Sequence, residues 1–168
     1  MNASWIHCQA DTPLGPMRLA RSGAGLCGAW FVSDQKHAPA ADRFAPDKES
    51  SADPLLSDAA QQLKAYFSGT LQDFDLPLDL SAGTAFQQAV WQALRGIARG
   101  DTQSYLALAA QLGKPSATRA VGAAVGRNPI SLIVPCHRVL GSSGQLTGYA
   151  GGLWRKQALL QLEGLSLF

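Results

Sequence analysis

The stretch SLIVPCHRVLGSSG, residues 131–144, sets a thiol beside an imidazole: Pro135 precedes Cys136 and His137 follows it. A thiol attacks only as its thiolate, and a free cysteine is mostly protonated at neutral pH. His137 offers a base, reached directly or through a water molecule. Adjacent side chains on a regular strand point to opposite faces, so direct contact needs a turn at Cys136 and a water relay is the simpler route. The imidazole in turn needs a third group to orient it. After residue 80 the only acids are Asp101 and Glu163, and Glu163, at the end of the last predicted helix, is the better placed. Such a set can support nucleophilic attack by sulfur. A buried structural cysteine beside an unrelated histidine is the plainer alternative.

The elements that must hold these groups can be read from spacing. Three short apolar runs, SWIHCQAD, GPMRLARS and GLCGAWFV, read as strands, the first two separated by the turn TPLG. A polar, Pro-rich loop follows. In PLLSDAAQQLKAYFSG the apolar residues at 55, 56, 59, 60, 63, 66 and 67 predict an amphipathic helix closed by Gly69. FDLPLDL then reads as an extended connector. Beyond it the chain is mainly helical: a helix capped by Thr84 with a stripe of Phe86, Val90, Trp91 and Leu94, and a second capped by Ser104 and ended by Gly113. A third runs from about Ser116 to Gly126, and LWRKQALLQLEG closes the chain as a helix. SLIVP reads as a short buried extended piece and GSSGQLTGYAGG as a Gly-rich loop. The expected fold is α+β, with a small antiparallel sheet plus helix over residues 1–80 and a mainly helical lobe over 81–168.

The chain has 168 residues, 46% hydrophobic and 15% charged, which is enough for one substantial core or two small lobes. No apolar run reaches bilayer length, and no basic segment followed by an apolar stretch suggests a secretory signal. The odd cysteine count (Cys8, Cys27, Cys136) speaks against a disulfide framework, so a reducing cytoplasm is the expected setting. No metal-ligand spacing occurs, and no metal or cofactor is expected. The net charge of +2 hides an asymmetry: residues 1–80 hold 6 basic and 10 acidic side chains, residues 81–168 hold 8 and 2. A basic second half suits a polyanionic partner, nucleic acid first.

Two helices joined by a short Gly-containing turn match a DNA-binding helix-turn-helix. On the second, Ala117, Val121, Ala124 and Val125 fall on one side, and Arg119, Gly122, Ala123 and Gly126 on the other. That outer face is thin and carries one long side chain. It lacks the Asn, Gln and paired Arg residues that read base edges, so little sequence preference is expected. Packing of a small-residue helix against a neighbour is the alternative.

PCHRV, with GRNP before it and GYAGG and RK after it, resembles the active-site region of the O6-alkylguanine-DNA alkyltransferases, also called methylated-DNA–protein-cysteine S-methyltransferases. TPLGPMRLA resembles that family's N-terminal strand pair, FQQAVWQALRGI its first C-domain helix, and SYLALAAQLGKPSATRAVGAAVGRNP its winged-helix-like helix-turn-helix. The resemblance implies that Cys136 accepts the alkyl group, with His137 and Glu163 completing a Cys–water–His–Glu relay. It implies that Tyr105 donates to N3 of the leaving guanine and that Asn128 ties the helix-turn-helix to the active-site segment. It further implies that Arg119 enters the base stack in place of a flipped nucleotide. Ser116, Thr118, Ala120, Gly122 and Ala123 would lie along the DNA, and Val125, Pro135, Val139, Tyr149, Ala150 and Gly151 around the substrate pocket.

The implied partner is double-stranded DNA carrying O6-alkylguanine, with O4-alkylthymine left open. A monomer in solution is expected, with cooperative assembly on DNA left open. A thioether product has no hydrolytic exit, so each molecule would react once. Ala150 stands where some relatives carry Ser, and Gly151 and Gly152 keep the loop slim, which implies tolerance of alkyl groups larger than methyl. Two other classes remain: a module of the same fold that binds alkylated bases without removing them, and a cysteine hydrolase using the same three residues. The cysteine argues against the first. The second needs an oxyanion hole and turnover.

Overall fold

The computed structural model describes residues 4–166 and divides the chain into two compact units between Asp79 and Leu80. In the first, three strands form an antiparallel meander: β1 (Ile6–Ala10), β2 (Met17–Arg21) and β3 (Leu26–Phe31). Cys8 faces Leu19, and Leu19 faces Ala29, which makes an apolar row across the sheet. The register slips at Ala20/Arg21, where Cys27 is an extra residue on β3 and bends the strand. Helix α1 (Pro54–Phe67) begins where Asp53 accepts the Leu56 amide at 3.0 Å and Pro54 supplies the first helical residue. It ends at Gly69, whose φ of +81° suits glycine. Leu56, Ala59, Leu63 and Tyr66 are its buried stripe, and with Met17, Leu19, Leu26 and Phe31 they make this unit's core.

The FDLPLDL segment is docked rather than merely connecting. The Leu26 amide donates to the Pro77 carbonyl at 2.8 Å and the Asp79 amide to the Leu26 carbonyl at 2.8 Å. A Cβ at residue 25 would meet the Pro77 oxygen at 2.7 Å, so only Gly25 lets the two backbones approach. Two short 3₁₀ turns at 41–43 and 46–48 interrupt the Pro-rich loop, and Trp5, Trp30 and Phe44 cluster against it.

The second unit opens with α2 (Ala85–Leu94), started by a reciprocal capping box between Thr84 and Gln87. Val90, Trp91 and Leu94 are buried, while Phe86 is only half-buried. A short strand β4 (Gln103–Ser104) leads directly into α3 (Tyr105–Gln111), with the Ser104 hydroxyl accepting the Ala107 amide at 3.0 Å. Gly113, at φ +71°, turns the chain toward α4 (Thr118–Gly126). This helix starts two residues later than the sequence indicates. Ala117 offers no capping side chain, and Ser116 stays in the turn. Val121, Ala124 and Val125 face inward, and the Trp91 indole donates to the Ala124 carbonyl at 2.8 Å, locking α4 to α2.

SLIVP is buried as expected, but it is not extended. Ser131 and Val134 bridge across a turn in which Leu132 has φ +73°. An apolar run of this length specifies burial, not conformation. The conformation comes from Asn128, whose side chain accepts the Ile130 amide at 3.0 Å and donates to the Val134 carbonyl at 2.8 Å. A 3₁₀ turn, Cys136–Arg138, leads into β5 (Val139–Leu140), which pairs parallel with β4. Helix α5 (Leu153–Leu162) closes the unit. No helix among the described residues is long and apolar enough to cross a membrane.

Candidate active site and nucleic-acid interface

The turn that direct Cys–His proximity requires is present, because Cys136 opens the 3₁₀ turn and His137 follows within it. Cys136 keeps 6% of its exposure and His137 none. The His137 Nε2 lies 2.9 Å from Glu163 Oε2, with both side chains fully buried. Burial pushes the His137 pKa below its ordinary 6.5, against the pull of Glu163. The ring is therefore neutral at pH 7. With Nε2–H donating to Glu163, Nδ1 carries the lone pair, and it is buried with no hydrogen-bond partner among the described residues. The geometry leaves a buried base with one acceptor site unpartnered among the described residues, on the residue that follows the thiol in the same turn.

Glu163 caps α5 and serves two donors. Arg138 Nε donates to Oε1 at 2.8 Å and Nη2 to Oε2 at 3.0 Å, while Nη1 reaches the Ile97 carbonyl at 2.6 Å. The carboxylate is thereby fixed in plane and its charge shared, so it orients His137 more than it draws its proton. Sequence reasoning missed Arg138. A basic residue beside the pair, in a lobe with only two acids, was the available clue.

Burial raises the Cys136 pKa, opposed by a hydrogen bond from Asn128 and by the positive charge of Lys156. The resting sulfur is a thiol, held beside groups that favour its ionised form. Lys156 is a second residue the sequence reading passed over. It is fully buried, and its own pKa falls to about 8 through burial, countered by the charge on Cys136. Residues 155, 156, 159, 160 and 163 are all buried along α5 and its C-terminal end, a helical spacing legible in advance as one inward face.

Tyr105, at the start of α3, is half-buried and donates from its hydroxyl to the Thr147 carbonyl at 3.0 Å. Burial and then the charge on Cys136 raise its pKa, which keeps it a proton donor. A Cβ at Gly122 would meet the Tyr105 ring at 3.7 Å, so Gly122 packs toward α3 instead of lying on the free face. Arg119, Ala120, Ala123 and, in the turn, Ser116 are exposed. Thr118 is partly covered, and Val125 is buried against the interior. Pro135, Val139 and Gly151 are buried, while Tyr149 and Ala150 are half-buried in the loop before α5. The fold thus gathers Cys136, His137, Glu163, Asn128 and Tyr105 into one site, and sets Arg119 apart on the solvent side of α4.

A buried thiol followed by a carboxylate-anchored imidazole, in a unit whose α4 exposes Arg119 among small residues, defines a cysteine-centred protein with a face open to a polyanion. Residues 7–80 match the ribonuclease-like domain and residues 85–165 the DNA-binding domain of 6-O-methylguanine DNA methyltransferase. The methylated-DNA–protein-cysteine methyltransferase of Mycobacterium leprae is 51% identical over 159 residues, spanning 94% of this chain and 92% of that protein. That of Methanosarcina acetivorans is 45% identical over 92% of this chain and 95% of its own length. The crystal structure of Mycobacterium tuberculosis OGT in complex with DNA superposes with a TM-score of 0.82 at 48% identity, covering 94% of this chain and 91% of that one. The chain belongs to the 6-O-methylguanine DNA methyltransferase family.

Proposed function

We propose that this protein repairs alkylated DNA directly, by moving the alkyl group from O6 of guanine to the sulfur of Cys136. The observation that carries the proposal is the fully buried His137, anchored through Nε2 to Glu163, with Nδ1 unpartnered among the described residues, in the same 3₁₀ turn as Cys136. In the reaction the thiol proton passes through a water molecule to Nδ1. The thiolate forms an S–C bond as the C–O6 bond breaks; the departing guanine takes one proton, from Tyr105, and the proton held on His137 restores the phenol. Tyr105 gives up its bond to Thr147 and donates to N3, making the base a better leaving group. The thioether persists, so each molecule acts once.

The alkylated carbon is out of reach inside a duplex, so the nucleotide must leave the stack at a cost of about a few kcal/mol. In this reading α3 and α4 are a helix-turn-helix laid on the DNA. The small exposed face of α4 lets it approach closely, and Arg119 fills the gap left by the extruded base. The absence of side chains suited to base edges supports action on damage in any sequence. The protein acts as a monomer. Mass spectrometry after incubation with a duplex containing O6-methylguanine tests the whole reading. One methyl retained per molecule, on Cys136, is expected. Unchanged protein mass, or repeated turnover, would overturn it.

A further inference from the structure

The carbonyl of Thr147 is shared. It accepts from the Tyr105 hydroxyl at 3.0 Å and from Lys156 Nζ at 3.2 Å, and the same ammonium reaches the Gly148 carbonyl at 3.1 Å. Lys156 Nζ also lies 5.9 Å from the centre of the Tyr105 ring, over its face. Its backbone sits on the inward side of α5, and its side chain is fully buried. No carboxylate pairs with it among the described residues. The charged or titratable groups that face it are Cys136, His137 and Tyr105.

A buried ammonium without a counter-ion is a costly way to pack a loop, since an apolar or neutral side chain would do so at less expense in desolvation. Its position explains it better. In the free protein the Tyr105 hydroxyl is committed to Thr147, whereas the reaction needs that hydroxyl on the base. When Tyr105 turns to its substrate, a carbonyl with no other donor would be orphaned under the loop, which opposes the move. Lys156 keeps that carbonyl bonded. It also pins the next carbonyl, at Gly148, where φ is +63° and the loop changes direction.

Resting on the function proposed above, we infer that Lys156 is a positioning residue of the transfer reaction: by holding the Thr147 and Gly148 carbonyls it fixes the 146–150 loop while releasing Tyr105 to donate to the departing base. Its charge serves a second purpose by favouring the ionised form of Cys136.

The test uses the full chain, reduced and unalkylated, with a duplex oligonucleotide carrying O6-methylguanine, in single turnover. Wild-type protein is assayed first for transfer to Cys136. If none occurs, the function above fails and this inference falls with it. Lys156→Met is expected to slow transfer at saturating DNA by on the order of tenfold while changing the Kd for the duplex by less than about twofold. Lys156→Arg, which keeps charge and donors, should recover most of the rate. Combined with Tyr105→Phe, Lys156→Met should cost less than the product of the two single losses, because both act on one contact. Transfer by Lys156→Met at the wild-type rate, or losses that multiply in full, would overturn the role.

Should Lys156→Met not fold, Lys156→Gln, a polar side chain too short to reach both carbonyls, is compared with the wild type by hydrogen exchange. Protection of the 146–150 amides, corrected for intrinsic rate, should fall in the variant while α2 stays protected. Loop protection equal to that of the wild type counts against the inference.

Discussion

Arg138 and Glu163 meet in a two-point ion pair, Nε to Oε1 at 2.8 Å and Nη2 to Oε2 at 3.0 Å, with the carboxylate fully buried. The pair holds the acid of the relay in a single orientation and leaves one of its oxygens for His137. Two donors therefore converge on Oε2, one charged and one neutral. Burial, not this carboxylate, holds the His137 pKa down; Glu163 pulls the other way.

Removing the guanidinium should take a two-point charged partner from a buried carboxylate. Arg138→Met is expected to lower unfolding stability by about 3–5 kcal/mol, as measured by denaturant titration. Glu163→Gln removes the charge that needs compensation and should be milder in stability than Arg138→Met. A milder effect for Arg138→Met would show that the pair contributes little.

The pH dependence follows from His137. Its folded pKa lies below 6.5, so between that value and 6.5 the unfolded chain binds a proton that the native one does not. Stability should accordingly be complete near pH 7 and decline as pH falls below about 6.5. His137→Gln should flatten that limb of a stability-versus-pH curve. The transfer rate has the opposite origin: burial keeps Cys136 protonated at neutrality, so the rate with a free-base substrate should climb into the alkaline range. Glu163→Gln weakens His137 as a base and should move the apparent Cys136 pKa upward. An unmoved value would argue against the relay.

Arg119 is exposed on α4, away from the thiol. Arg119→Ala is expected to reduce reaction with damaged duplex by on the order of tenfold or more, while reaction with free O6-benzylguanine changes by less than about twofold. Equal losses on both substrates would mean that it supports the site itself.

Cys136→Ser should bind damaged duplex with unchanged affinity and transfer nothing. Electrophoretic retardation and intact mass, measured on one preparation, check both halves.

The loop at Gly151 and Gly152 carries no side chain, and the exposed Trp154 indole lies 3.2 Å from where a Cβ on Gly152 would stand. Benzyl transfer should proceed within about tenfold of methyl transfer under matched single-turnover conditions. A much larger preference for methyl would place the restriction elsewhere in the pocket.

Much of this was legible from residue order alone. The short apolar runs, the caps at Thr84 and Ser104, and the glycines at 69 and 113 are local signals, and the elements form where those signals stand. The thiol, its neighbouring imidazole and the scarcity of acids in the second half named a nucleophile, a base and an orienting carboxylate before any contact was known. Other features depended on contacts between residues distant in the chain. The path of residues 131–134 was set by Asn128 bonding across it, so an apolar run that looked extended became a turn with Leu132 at positive φ. Arg138 and Lys156 drew no reading from the sequence, because composition cannot say that a carboxylate or two loop carbonyls will be waiting in the interior. Burial of a charge is decided by its partners, and those partners, Glu163 for one and Thr147 and Gly148 for the other, come together only when α5 packs beside the cysteine turn.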